Sequence, residues 1–83
     1  MTITVYTLPD CAQCNATKRT LDKYGVPYTT ELATNHLDVV AWAKQEGMGS
    51  APVVLVEEDE LLVDAWSGYR PDRIKALLQR RVA

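Results

Sequence analysis

The chain has 83 residues, 47% of them hydrophobic and 24% charged, with a formal net charge of −2. That balance is too apolar for a disordered chain and has the wrong sign for an electrostatic binder of nucleic acid or anionic membranes. At this length folding buries only about 60–65% of the surface the unfolded chain exposes, so a single small domain spanning 1–83 is expected.

Residues 2–8, TITVYTL, alternate through Ile3 and Val5 and are rich in β-branched and aromatic types, which predicts a first strand. From Cys11 to Tyr24, the residues Cys14, Thr17, Leu21 and Tyr24 fall on one helical stripe, and Gly25 stands where a helix-ending residue belongs. Residues 26–32, VPYTTEL, read as a short edge strand with Pro27 near its start. Asn35 is placed to cap a second helix with Asp38 at its third position. Its apolar face would be Leu37, Val40 and Ala41, partly extended by Trp42, and it would end at Gly47. Residues 51–56, APVVLV, and 61–66, LLVDAW, are strand-like runs joined by a solvated acidic turn from Glu57 to Glu60. Pro71 and Asp72 open a last helix that buries Ile74, Leu77 and Leu78, with Arg80 and Arg81 complementing its dipole. The order βαβαββα predicts an α/β fold. A parallel crossover and a late antiparallel hairpin share one mixed four-stranded sheet, flanked by three helices.

The opening MTITVYTL shows no basic stretch followed by a long apolar one, and the runs VVLV and LLV are too short to span a bilayer. A cytoplasmic monomer without membrane or nucleic-acid partners is the expectation. Both cysteines lie in LPDCAQC, residues 8–14. As a staple the pair is poorly placed, because so short a ring stabilises by only about 2 kcal/mol before strain is subtracted. A thiol is a nucleophile only as thiolate, and a helix N-terminus favours that anion. Cys11 is therefore expected to attack a substrate disulfide, and Cys14, one turn further on and facing the stripe, to resolve the adduct and leave a redox-active Cys11–Cys14 disulfide. Asp10 either opposes the thiolate or caps the helix itself, and the sequence leaves both open. Lys18 reads as an exposed helix lysine and His36 as a surface residue of a first helical turn. A tetrahedral zinc site needs more ligands than two cysteines and one histidine supply, so no metal is expected. A noncatalytic metal-binding module, with the pair shared across a dimer, is the alternative from a different class.

Between a first strand and a first helix, C-x-x-C reads as a thioredoxin-like redox motif. The assembled residues resemble the thioredoxin superfamily and, within it, the glutaredoxin-like NrdH redoxins. CAQCNATK (11–18) is similar to that family's C-x-Q-C-x-A-T-K segment and APVV (51–54) to the segment before its third strand. WSGYRPD (66–72) is similar to its W-S-G-F-R-P-D signature, with Tyr69 for Phe. The resemblance covers nearly the whole chain. It implies a thioredoxin/glutaredoxin fold, a cis Pro52 beside the dithiol, and contacts to partners through Ala51, Pro52, Trp66, Ser67, Gly68, Tyr69 and Arg70. It also implies that no cofactor is bound: electrons come from NADPH through thioredoxin reductase and pass to class Ib ribonucleotide reductase. Packing is the competing reading for Trp66 and Tyr69, and local hydrogen bonding for Arg70. The nearest enzymatic alternative is a glutathione-dependent glutaredoxin. Those proteins commonly carry a basic residue before the motif and a Gly-Gly, Asp-rich segment near the last helix. Leu8 and Trp66-Ser67-Gly68 stand there instead, and neither replaces a charge-assisted hydrogen bond to a carboxylate. The chain departs from the NrdH pattern at Met48, Gly49 and Ser50, where an aromatic and a Gln commonly precede A-P, and in the longer hairpin EEDELLVDA.

Overall fold

The computed structural model describes residues 1–82, with side chains through 80, so the expected role of Arg81 lies outside the described residues. The elements follow the expected order: β1 (Thr2–Thr7), α1 (Ala12–Lys23), β2 (Thr29–Leu32), α2 (Leu37–Gln45), β3 (Val53–Glu58), β4 (Leu61–Ser67) and α3 (Pro71–Val82). They build one mixed sheet in the order β2-β1-β3-β4. β1 and β2 are parallel with α1 between them in the chain, while β3 runs antiparallel to β1 and β4 antiparallel to β3.

Register decides where the core lies. Ile3 and Val5 stand opposite Val56 and Val54, and Val54 opposite Trp66, so the two-residue period of the strands gathers these side chains on one face. Leu21 of α1 and Ile74 and Leu77 of α3 close over that face, joined by Val26. Each such aliphatic side chain contributes about 1.5–3 kcal/mol relative to an exposed one. The other face carries α2, whose Val40 and Ala43 line a cavity with Tyr6 and Val53.

Four local expectations need correction. The second strand starts at Thr29, not near Pro27, because Val26 is drawn into the core and Tyr28 packs against it. Asn35 does not cap α2: Ala33–Asn35 form a 3₁₀ turn, and His36 holds the N-cap position without a capping side-chain bond. The buried face of α2 is also rotated from the expected one, since Ala43 is buried while Leu37 is 71% exposed and Ala41 lies outside. Finally, the acidic turn is shorter than expected. Glu57 and Glu58 belong to β3, and only Asp59 and Glu60 turn the chain, both at positive φ as tight two-residue hairpins require. The pairing shifts by one residue after Val56–Asp64, which leaves Val63 as a bulge. Arg80 reaches Glu58 at 3.3 Å.

Candidate active site

β1 ends in the buried Thr7, and Leu8–Asp10 turn the chain into α1. Asp10 does so with φ at +53°, a left-handed conformation in which Asp is one of the tolerated residues. The two roles left open for Asp10 are thereby decided against capping. Cys11 occupies the N-cap in extended conformation (φ −110°, ψ 106°), and its Sγ accepts the Cys14 amide at 3.1 Å. Its carbonyl accepts the first helical bond, from the Asn15 amide. Cys11 and Cys14 are joined as a disulfide with Cα atoms 5.2 Å apart. Cys14 is 1% exposed and Cys11 half-buried, so a partner approaching from solvent meets Cys11 first.

Because Tyr6 pairs with Val53, the residues preceding β3 lie at the end of the sheet where β1 runs into the cysteine turn. The Ala51–Pro52 bond there is cis, as the family resemblance implies. The Pro52 carbonyl accepts the Gly68 amide at 2.8 Å. Gly68 has φ +76°, and a Cβ on it would stand 2.9 Å from Gln13 Oε1 and 3.2 Å from Ser50 Oγ, so both its conformation and its surroundings call for glycine. Next to it, the Tyr69 amide donates to Gln13 Oε1 at 2.9 Å, and the Tyr69 phenol shares a hydrogen bond of 2.9 Å with the Thr20 hydroxyl. Ser67 and Ser50 hydroxyls pair at 3.4 Å. The cysteine turn, the cis proline and the WSGY loop thus form one connected assembly. Gln13, Thr20 and Ser50 escape a reading of the sequence, since their partners are long-range; the only signal is that Gln13 lies inside the C-x-Q-C segment.

The remaining expected contact residues divide. Trp66 is 2% exposed and belongs to the core, as the packing reading expects. The Arg73 guanidinium lies 5.9 Å from that ring and 3.6 Å from Asp64. Arg70 is engaged locally: its Nε and Nη2 donate to the two Asp72 carboxylate oxygens at 3.1 and 2.8 Å. That fork holds the Asp72 carboxyl below its ordinary value and raises the guanidinium. Tyr69 and Leu8 remain exposed. Beside Ala51 opens a cavity of about 280 Å³, lined mainly by apolar groups such as Leu8, Val40 and Met48 and by one cation, Lys44. Tyr6 also lines it, its phenol raised by burial and then by Glu57, Glu31 and Asp38. His36 is engaged by Glu31 at 3.4 Å and by the edge of Tyr6. Among the described residues no group of three or more His, Cys, Asp or Glu is placed to hold a metal ion, and no helix is long and apolar enough to cross a membrane.

Comparison with known proteins agrees with this arrangement. A family model described as Glutaredoxin matches residues 3–61. The glutaredoxin-like protein NrdH of Escherichia coli is 34% identical over 77 residues, which cover 93% of this chain and 89% of that protein. The solved structure of NrdH-redoxin from Escherichia coli, reported as the basis of that protein's thioredoxin-like activity profile, superposes with a TM-score of 0.77. It is 35% identical, with 93% of this chain and 95% of that one covered. A glutaredoxin from Archaeoglobus fulgidus shares the fold, with a TM-score of 0.66 at 23% identity over 93% of this chain and 85% of the other.

Proposed function

The chain belongs to the glutaredoxin family, among its NrdH-like members, and is a thiol-disulfide oxidoreductase with a thioredoxin-like fold; from that premise we propose that it carries electrons between proteins, from NADPH through thioredoxin reductase to class Ib ribonucleotide reductase. The observation that carries this reading is the Cys14 amide donating to Cys11 Sγ at the start of α1. In the reduced protein that amide and the positive helix end stabilise a Cys11 thiolate. The thiolate attacks one sulfur of the acceptor disulfide. A Cys11–acceptor bond forms while the acceptor's own S–S bond breaks, and its second sulfur leaves as a thiolate that takes up a proton. Cys14 gives its proton to solvent and attacks Cys11, closing the Cys11–Cys14 disulfide and expelling the acceptor's other thiolate. Two electrons have then passed to the acceptor. The reductase reverses the sequence with two electrons from NADPH, and no cofactor is held by this chain.

Ala51, next to the cis proline, offers its backbone to the bound partner, and Ser67, Gly68, Tyr69 and Arg70 form the adjoining rim. Against a glutathione-fed reaction stands the cavity beside Ala51, where Leu8 is apolar and Lys44 is the one cation for glutathione's paired carboxylates. The thioredoxin-like profile of the Escherichia coli relative points the same way. The carrier works as a one-domain monomer in the reducing cytoplasm.

Oxidised protein is mixed with NADPH and either thioredoxin reductase or glutathione plus glutathione reductase. NADPH consumption with the first pair is expected, and turnover confined to the second would overturn the reading. On the acceptor side, Cys14→Ser is expected to trap ribonucleotide reductase as a mixed disulfide that Cys11→Ser does not form; the same adduct from both variants would refute the assigned roles.

A further inference from the structure

Tyr69 is tied to α1 at two points, its amide to Gln13 Oε1 and its phenol to the Thr20 hydroxyl, each at 2.9 Å. Gln13 and Thr20 are seven residues apart, two turns of one helix, so they stand on the same face separated by about 10 Å. A single tyrosine entering at one and ending at the other is laid lengthwise along α1. The Thr20 hydroxyl has no bond to its own helix, unlike that of Thr17, which donates back to the Gln13 carbonyl at 2.8 Å.

Tyr69, so held, remains 36% exposed as a residue, and it follows directly on Gly68, whose amide pairs with the cis proline. It therefore borders the surface across which a partner must approach Cys11. Aromatic side chains are favoured anchors of protein interfaces, and one already fixed loses less freedom when a partner docks than one free to rotate.

We propose that Thr20 is a positioning residue: it fixes Tyr69 along α1 as a preorganised aromatic contact for the protein that exchanges disulfides with Cys11, and so sets partner affinity without touching the reacting sulfurs. The inference rests on the reading that the electron source is a protein reductase. Thr20→Val keeps the shape and deletes the hydroxyl, whereas Thr20→Ser restores it. With the NADPH-dependent reductase that turns over the unmodified protein, Thr20→Val raises KM for this substrate about two- to ten-fold, the range expected for one hydrogen bond. The loss falls on KM and not on kcat, and Thr20→Ser stays near the unmodified value. Tyr69→Phe raises KM by a similar factor, and combining it with Thr20→Val adds nothing further. An unchanged KM in Thr20→Val, or single effects that multiply in the double variant, would overturn the proposal. Failure of thioredoxin reductase to reduce even the unmodified protein would refute the functional reading alone. The positioning is then still read from hydrogen exchange at the Tyr69 amide, expected to be faster in Thr20→Val than in Thr20→Ser; equal rates would count against it.

Discussion

Arg70 and Asp72 face each other in a fork of two hydrogen bonds on the surface, just where α3 begins. The planar guanidinium is matched by the neighbouring carboxylate, so the pair fixes Arg70 locally where the loop enters α3. Its electrostatic sign is testable. The hydrogen bond from Arg70 is the largest cause of the lowered Asp72 carboxyl. A carboxyl lower in the folded state than in the unfolded one stabilises above the unfolded pKa, and this contribution is lost as pH falls through the folded pKa. Both groups are exposed, so the effect on stability is slight. Titration of the Asp72 carboxyl carbon by NMR should give a midpoint below that of an ordinary aspartate, and Arg70→Ala should return it towards that value. Identical midpoints in the two proteins would contradict the fork. Asp10 acts at the same scale through its backbone, whose left-handed conformation turns β1 into α1.

Among the elements, legibility in the sequence followed burial. α1 was readable because Cys14, Thr17 and Leu21 are all buried on one stripe, and Gly25 at φ +66° ends it as expected. β1 was readable for the same reason, its inward residues alternating cleanly. β2 was read as a strand but with the wrong start, because all four of its residues are exposed and no alternation marks where it begins. α2 misled for a physical reason. It covers a sheet face with only Ala43 fully buried, so a small residue carries its packing while the conspicuous Leu37 points to solvent. Leu37→Gln should therefore change the unfolding free energy by no more than about 0.5 kcal/mol. By contrast Ile74→Ala, at a wholly buried site of α3, should cost about 2–5 kcal/mol. Urea denaturation of both variants checks the contrast, and a large loss from Leu37→Gln would mean that the α2 face is misplaced. At the candidate site, the two cysteines were legible because local sequence places them at the start of α1, whereas the cis state of Pro52 was implied only by the family resemblance. The bridges from Gln13 and Thr20 were not legible, since they span 56 and 49 residues and depend on the fold bringing α1 beside the segment after β4.

Across the whole molecule the chemistry is confined to one end. β1 runs from the hairpin end, where Thr2 faces Glu57, to the cysteine end, where Tyr6 faces Val53. The strand that joins them is six residues long, a span of about 17–20 Å. The Asp59–Glu60 turn is exposed, and its two residues already hold left-handed conformations, so the tip tolerates change without disturbing the core. A short Gly/Ser insertion between Asp59 and Glu60 should leave the rate of NADPH-dependent disulfide reduction unchanged; a marked loss would show that the tip takes part in docking. That polarity makes the two-residue hairpin a natural mounting point. Tethered there to an electrode or a bead, the molecule would stand with its disulfide facing outward, and a catalytic coating of uniformly oriented redox units could be made by changing a single turn.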